Sequence, residues 1–322
     1  MTHILLTGAG FSRNWGGMLA DDVFQYLLGC NELDNELRRL LWRNRSNSGG
    51  FEDVLADLQL ATDDDSKRRS NILTSALVGM FNEMGLAFMQ REFEFRNPPD
   101  TRYSMASFLP RFDAIFTLNQ DTLLEQKYIP FVLGQRWGRA HLPGLKLLGN
   151  PPLSGSVHDR IAPLEPNPSD FKLAPNVQPY IKLHGSCNWN DGSSGGRILV
   201  MGGQKAVSIN QFAILAWYHQ EFRNYLSRPG ARLMIVGYSF SDAHINDAIM
   251  DAIKSADLRI FLIDPAGEKV LDKRDPRAQI PDHRGPLMEV IPPRIIGMSQ
   301  RPISSTFNDD TVEHSKLMRF FG

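Results

Sequence analysis

Cysteine is scarce in this chain, since Cys30 and Cys187 are the only two among 322 residues. Two cysteines are too few for a disulfide framework or for a four-thiolate zinc site, and no Cys-x-x-Cys spacing occurs. The eight histidines do not compensate, because no His-x3-His pair is present. We therefore expect a protein without a structural metal.

Long apolar runs and an excess of one charge are also missing. No run of roughly eighteen apolar residues occurs, so no membrane-spanning helix is predicted. The 35 basic and 36 acidic side chains leave a formal charge of -1, which excludes a whole-protein field that attracts nucleic acid or an anionic membrane. The N-terminus enters a predicted strand without a signal-peptide pattern, so a cytoplasmic location is expected.

A glycine turn near the N-terminus is the first positive feature. The apolar residues Ile4-Leu5-Leu6 lead into Thr7-Gly8-Ala9-Gly10-Phe11-Ser12. A strand that ends in two glycines lets a pyrophosphate approach backbone amides, although many tight turns need glycine for backbone reasons alone. Arg13 stands where the dehydrogenase fingerprint has its third glycine, and no acidic residue ends a second strand about twenty residues on, so a plain nicotinamide dehydrogenase is disfavoured.

The fold class follows from five apolar strands that alternate with helical segments. We predict strands near residues 4–6, 113–118, 180–183, 233–236 and 259–263, with a further short one at 197–201. This alternation predicts an α/β Rossmann-like, doubly wound parallel sheet, in which ligands bind at the carboxyl ends of the strands. Polar clusters follow all five strands, and we expect them to converge on one crevice: Gly8-Ala9-Gly10, Asn119 with Asp121, His184, Ser239 and Asp264.

The chain divides into a core and three additions. The predicted nucleotide-binding core comprises residues 1–30 and 111–268, with a helical insertion at 31–110. Residues 130–179 are rich in proline and glycine and predict an irregular surface excursion, and 269–322 form a C-terminal extension. Asp63-Asp64-Asp65 is expected to cap a helix rather than to bind a cation, and Asp242 to cap a helix that runs to about Lys254.

Four short motifs in this order resemble the sirtuin-like NAD-binding fold. They are Gly8-Ala9-Gly10-x-Ser12, Thr117-x-Asn119-x-Asp121, Leu183-His184-Gly185-Ser186 and Gly237-Tyr238-Ser239. The longer runs 8–17 and 237–246 are similar to bacterial sirtuin-like proteins of anti-phage defence, which are NAD hydrolases and commonly lack zinc. Deacylating sirtuins instead carry two cysteine pairs and a Gly-Ile-Pro-Asp-Phe-Arg run, where this chain has Gly17-Met18-Leu19-Ala20-Asp21-Asp22.

The resemblance assigns roles to the motif residues. Asn119 and His184 match the two residues on which the family's activity depends, with His184 as the candidate base and Asn119 holding the ribose and a water. Asp121 is expected to orient the ribose or Asn119, or only to cap the following helix. The NAD-binding set is Gly8, Ala9, Gly10 and Ser12 at the pyrophosphate, Phe11 and Asn14 on the nicotinamide ribose side, Gly237 and Ser239 at a phosphate or ribose, and Asp264 at the adenosine ribose. Asp264 should also favour NAD over NADP.

The function that the resemblance implies is NAD hydrolysis that depletes the cell's NAD on infection. Such an enzyme needs control, so we expect a homo-oligomer and a partner in trans. A HerA-type hexameric ATPase comes first, and an Argonaute or a separate sensor is the alternative. Two other functions stay open: a module that binds NAD or ADP-ribose without chemistry and, with less support, an NAD-dependent protein deacylase. The segment 130–179 is a candidate cover of the pocket.

Overall fold

The computed structural model describes residues 1–322 except 47–49, 98–99, 131–132, 134–135, 149–161, 193–195, 204 and 273–285. The strands, β1 to β11 in chain order, are His3–Thr7, Ala114–Thr117, Arg139–His141, Leu145–Leu147, Leu164–Pro166, Val177–Lys182, Gly185–Asn190, Arg197–Leu199, Arg232–Val236, Arg259–Ile263 and Ile295–Ser299.

The described α-helices are numbered in the same way. Helices α1 to α7 are Ala9–Ser12, Ala20–Gly29, Asn35–Ser46, Phe51–Leu60, Asp64–Met89, Met105–Phe108 and Leu123–Lys127. Helices α8 to α13 are Lys205–Gln211, Ala213–Leu226, Ala243–Ala256, Pro286–Val290, Ile303–Thr306 and Thr311–Met318. Short 3₁₀ turns lie at Arg13–Trp15, Thr101–Tyr103, Leu109–Arg111, Pro168–Asp170, Gly267–Leu271, Pro292–Arg294 and Arg319–Phe321.

The central sheet has seven strands in the order β11-β10-β9-β1-β2-β6-β3, and the neighbouring strands pair in parallel. Its inner strands are buried on both faces, as the fully buried run Ile4-Leu5-Leu6 shows. Such continuous apolar runs are typical of parallel strands covered by helices on both sides. The predicted α/β Rossmann-like class is therefore confirmed.

Two strands of the central sheet were not predicted. Strand β3 comes from the segment expected to be irregular, and β11 comes from the C-terminal extension and pairs with β10. A second, four-stranded sheet, β4-β5-β7-β8, also draws two strands from that segment. Residues 149–161, which include Pro151-Pro152, lie outside the described residues, so the proposed cover is described only in part.

Helices α2 to α6 lie within residues 20–108, called here the helical layer, and no strand occurs among its described residues. Asp63 caps α5 as expected, since its carboxylate accepts the Ser66 amide at 2.8 Å. Helix α5 is long and apolar enough to cross a membrane by length and composition alone. It packs against α4, α2 and α7, and Leu73 and Leu77 are fully buried. These contacts are those of a central core helix.

Candidate functional site

Five neighbouring strands end at one edge of the sheet, and each is followed by a predicted site residue. Gly8 follows β1, Asn119 lies two residues after β2, and His184 lies two residues after β6. On the other side of β1, Gly237 follows β9 and Asp264 follows β10. Because β10-β9-β1-β2-β6 are consecutive and parallel, these residues share one edge, as a ligand site in such sheets requires.

The glycines of the β1–α1 turn pack directly on the end of β9. Gly10 N–H donates to the Gly237 carbonyl at 3.0 Å, and Gly8 N–H donates to Val236 at 3.0 Å. A Cβ on Gly10 would lie 2.7 Å from the Gly237 Cα, and Gly237 has a φ of +60°. The close backbone contact therefore requires glycine at these positions, which is the backbone reason that the sequence analysis gave as the alternative to phosphate binding. Helix α1 spans only four residues, so this turn opens no long helix.

Asn119 is bound to the glycine turn through its side chain. Its Nδ2 donates to Ser12 Oγ at 2.9 Å, and its backbone N–H donates to Thr117 Oγ1 at 3.0 Å. Thr7 donates in turn to the same Thr117 oxygen at 2.8 Å. Ser12 on α1 therefore fixes the direction of the Asn119 carboxamide, and Thr117 holds its backbone. Asn119 remains partly exposed.

His184 is 3% exposed, and a second histidine covers it. Its Nε2 lies 3.0 Å from Nε2 of His244, on the first turn of α10. The ring of His219, from α9, stacks near it at 6.5 Å between centroids. Burial lowers the pKa of His184 well below its usual value; Asp242 opposes this shift, and Lys205 and the two neighbouring histidines add to it. His184 is therefore neutral near pH 7 and able to accept a proton.

A buried ion pair that the sequence analysis missed joins the two candidate catalytic segments. Lys182 Nζ is fully buried and donates to Glu125 Oε1 at 2.5 Å, to Ser186 Oγ at 2.8 Å and to the carbonyl of Asp121. Tyr180 also donates to Glu125, at 3.0 Å. The available signal was a lysine inside the apolar run Tyr180-Ile181-Lys182-Leu183, because a charge in a buried strand needs a partner.

Asp121 uses its carboxylate locally. Its Oδ1 accepts the Leu123 amide at 3.0 Å at the start of α7. Thr122 occupies the N-cap position of α7, so Asp121 bonds the first helical amide from one residue before the cap, and it is 6% exposed. Together with the Lys182 contact to its carbonyl, this bond fixes the turn that presents Asn119.

Asp242 differs from its prediction. It occupies the N-cap position of α10, but no side-chain capping bond forms. Its carboxylate pairs with Lys205 at 2.7 Å, and Lys205 also reaches Glu52 at 2.7 Å. The ammonium pairs with the carboxylate, and the amides of Ile245 and Asn246 bond the Asp242 backbone carbonyl. This triad connects α4 of the helical layer to the helix that carries His244.

The other predicted binding residues lie at the same edge and are held by local bonds. Phe11 is 1% exposed and contacts the Trp15 ring, with 5.1 Å between centroids. Asn14 donates to the carbonyls of Gly10 and Phe11 at 3.0 Å and accepts the Ser304 amide at 3.1 Å, which binds the C-terminal extension to the glycine turn. The remaining contacts are Ser239 Oγ to Ser241 Oγ at 3.0 Å and the Ala266 amide to Asp264 Oδ1 at 2.8 Å.

Two surface cavities lie away from this edge. One, of about 520 Å³, is lined by α5 residues such as Arg68 and Asn71, and the other, of about 450 Å³, lies beside Asp257 and Arg294. Neither includes a predicted site residue. Within the described ranges, no three His, Cys, Asp or Glu side chains are grouped to hold a metal ion. That the chain uses no zinc stays a prediction.

Comparison with known families identifies the class of protein. The model of the SIR2-like domain matches residues 113–281, about half of the chain. The protein therefore belongs to the SIR2-like family, and membership in it indicates an NAD-related activity. No curated protein matches the chain. The matched segment contains Asn119, His184, Ser239 and Asp264 but begins after the glycine turn, which the structure brings to the same edge through β1.

Proposed function

We propose that this protein is a cytoplasmic NAD+ hydrolase that releases nicotinamide and forms ADP-ribose. One observation carries the proposal: Asn119 and His184 follow adjacent parallel strands, and Asn119 is hydrogen-bonded to Ser12 of the glycine turn on the next strand. A carboxamide, a neutral imidazole and a glycine turn at one sheet edge of a SIR2-like protein are the groups that the reaction needs.

Hydrolysis of NAD+ depends more on the positioning of the reacting groups than on acid catalysis. Nicotinamide in NAD+ is already a cationic leaving group, so its glycosidic bond breaks through an oxocarbenium-like state without prior protonation. Asn119 can both donate to and accept from a ribose hydroxyl or the incoming water. His184, neutral near pH 7, can accept the proton that the water or ribose hydroxyl releases. Orientation of these groups then supplies much of the rate enhancement.

The binding roles remain proposals. Ala9 is the exposed residue of the glycine turn, so we expect its amide, with Gly8, Gly10 and Ser12 around it, to meet the pyrophosphate. Asp264 would accept the adenosine ribose hydroxyls and repel a 2′-phosphate, which favours NAD over NADP. Ser239 is exposed in the turn after β9, the strand next to β10, and would bind a phosphate or ribose oxygen.

The test is a mass-spectrometric assay of NAD+ breakdown by the full chain, alone and with proteins encoded beside it. We expect nicotinamide and ADP-ribose in equal amounts. Asn119→Ala and His184→Ala should each abolish both products, whereas Ser315→Ala, an exposed change on α13, should not. Persistent turnover by both site variants would refute the assignment. Turnover that required an acyl-lysine peptide, one for one, would indicate a deacylase instead.

For the biological role, we propose an effector of bacterial anti-phage defence that acts by NAD+ depletion. Control of the activity is required, because unrestrained hydrolysis would kill the host. A homo-oligomer bound to a HerA-type hexameric ATPase is our first candidate for the active assembly, with an Argonaute or a separate sensor as the alternative. Co-expression with each candidate, followed by size-exclusion chromatography and the same assay, distinguishes them.

One observation favours a second function, a module that binds NAD or ADP-ribose without chemistry. His184 is buried, and its Nε2 is already bonded to His244. Calorimetric binding of NAD+ that leaves the nucleotide intact after prolonged incubation with each assembly would support this reading. Nicotinamide release by any assembly would exclude it.

A further inference from the structure

His184 and His244 share one hydrogen bond between like atoms. The two Nε2 atoms are 3.0 Å apart, so only one of them carries a proton at a time. The third histidine of the cluster has a fixed role, because His219 Nε2 lies 2.9 Å from the Leu183 carbonyl and must donate to it. His184 and His244 are thus a pair in which a proton on one nitrogen has a direct acceptor on the other.

The proposed reaction makes such an acceptor necessary. Water adds its oxygen to the anomeric carbon of the nicotinamide ribose, and the broken carbon–nitrogen bond returns its electron pair to the pyridinium ring. Nicotinamide leaves neutral, and the water's second proton is released, one per turnover. His184 is 3% exposed, so a proton that it accepts needs a route to solvent. His244 is partly exposed and in contact with it.

We propose that His244 receives the proton from His184 through the Nε2–Nε2 hydrogen bond and releases it to solvent. This inference rests on the proposed hydrolysis. The incoming proton binds Nδ1 of His184, the nitrogen that His244 does not contact, while the proton on Nε2 of His184 passes to Nε2 of His244. His244 then loses its own Nδ1 proton to water, and exchange with water between turnovers restores the starting tautomers. His244 acts through His184 and is a positioning residue.

The charges around the pair suit a transient proton. Asp242, two residues before His244, favours the charged form of both rings, and Asp247 on the same helix adds to this at His244. Lys205 on α8 and Arg223 on α9 oppose it. Burial is the largest effect and lowers the pKa of His244 below its usual value, so His244 is neutral and free to accept near pH 7.

The decisive variant is His244→Gln, because glutamine can hydrogen-bond His184 but cannot take up a proton. In the assembly in which the wild-type chain hydrolyses NAD+, we expect kcat to fall about tenfold or more with KM little changed. The acid limb of the pH–rate profile should move to higher pH, because a neighbour that lowers the pKa of His184 is removed. His3→Gln, a partly exposed histidine at the start of β1, at the opposite end of the strand from the glycine turn, is the control and should match wild type.

A Gln variant with wild-type kcat and an unchanged pH profile would overturn the relay and leave the hydrolysis standing. A wild-type chain that releases no nicotinamide in any assembly would instead overturn the proposed function, and the relay with it. Nitrogen-15 NMR of labelled histidines tests the pair without turnover. We expect His184 and His244 to titrate as a coupled pair and the His184 ring signals to shift in the Gln variant. Independent titration of the two rings would refute the shared proton.

Discussion

The buried Lys182–Glu125 pair gives the sharpest test of how the site is held together. Lys182→Met removes an ammonium that makes three hydrogen bonds, at 2.5 Å to Glu125, at 2.8 Å to Ser186 and to the Asp121 carbonyl. The Glu125 carboxylate, 3% exposed, would keep only the Tyr180 hydroxyl at 3.0 Å among these partners. An uncompensated buried charge of this kind costs about 3–5 kcal/mol of the free energy of unfolding.

The double variant Lys182→Met with Glu125→Gln separates the lost contacts from the stranded charge. Without a carboxylate no charge is left unpaired, so the double variant should recover a large part of the loss. Arg39→Met, which removes a largely exposed ion pair to Glu36 at 3.4 Å, is the control and should have little effect. Urea unfolding followed by far-UV circular dichroism measures all four proteins.

The stability that Lys182→Met loses should also depend on pH. Burial raises the pKa of Glu125 above its ordinary value although Lys182 opposes the shift, so removing Lys182 raises it further. Between the unfolded and folded pKa values the folded variant holds a proton that the unfolded chain has released, and its stability therefore falls as the pH rises. We expect a larger deficit at pH 8 than at pH 5. A loss below about 1 kcal/mol at pH 8, or one independent of pH, would refute the reasoning.

Three further predictions follow. Gly237→Ala places a Cβ 2.4 Å from the Gly10 carbonyl carbon at a φ of +60° and should strongly lower the urea midpoint. Gly79→Ala in mid-α5, where a Cβ meets nothing within 4 Å, should instead raise the free energy of unfolding by about 0.5–1 kcal/mol. Equal effects of the two variants would contradict the packing argument. Ser12→Ala frees the Asn119 carboxamide, so under the proposed function kcat should fall several-fold in the NAD+ assay with thermal stability nearly unchanged, and an unaltered kcat would count against Asn119. Burial lowers the pKa of His219 to about 4, so the unfolded chain binds a proton at higher pH than the folded protein does, and stability should fall as the pH drops from 6.5 towards 4. His219→Gln should reduce this dependence of stability on pH. The same dependence in both proteins would exclude His219 as its source.

The sequence predicted the inner part of the sheet well, because its strands are buried on both faces. Strand β10 has the predicted bounds, 259–263, and β2, Ala114–Thr117, falls within its prediction. Strand β9 begins one residue before its predicted start, at Arg232. Short continuous apolar runs bounded by polar turns are typical of parallel strands that are buried on both faces. The Asp63 cap was found for a similar reason, since its bond to Ser66 is local.

The edge strands could not be found in the same way. Strand β11, Ile295–Ser299, is mostly only half-buried, and it follows prolines that predict a loop. Strand β3 has three residues, of which only Ala140 is buried, so it is too short to show the alternation of apolar and polar residues that predicts a strand. Their pairing depends on the tertiary position of β10 and β6, which local propensity does not encode.

Of the site, the sequence predicted which strand ends carry polar residues but not what fixes those residues. The motifs placed Asn119 and His184 at strand ends, and the sheet order of the structure makes those two strands neighbours. The contacts that hold them join residues far apart in the chain, such as His184 to His244 and Lys205 to Glu52. Such partners are visible only after folding. For Lys182 a signal was present but was missed: its charge inside an apolar strand requires a buried partner.

The C-terminal extension and the helical layer both support the candidate site, and this suggests where control would act. The C-terminal extension reaches the glycine turn through Ser304 and Asn14, and the helical layer reaches α10 through Glu52, Lys205 and Asp242. Helix α10 in turn carries His244, which covers His184. A displacement of the helical layer would therefore be transmitted to the ring on the candidate base without any change in the sheet. Because the hydroxyls of Ser12 on α1 and Thr117 on β2 hold Asn119 by short contacts, we expect α10, rather than the strand ends, to be the movable part of the site.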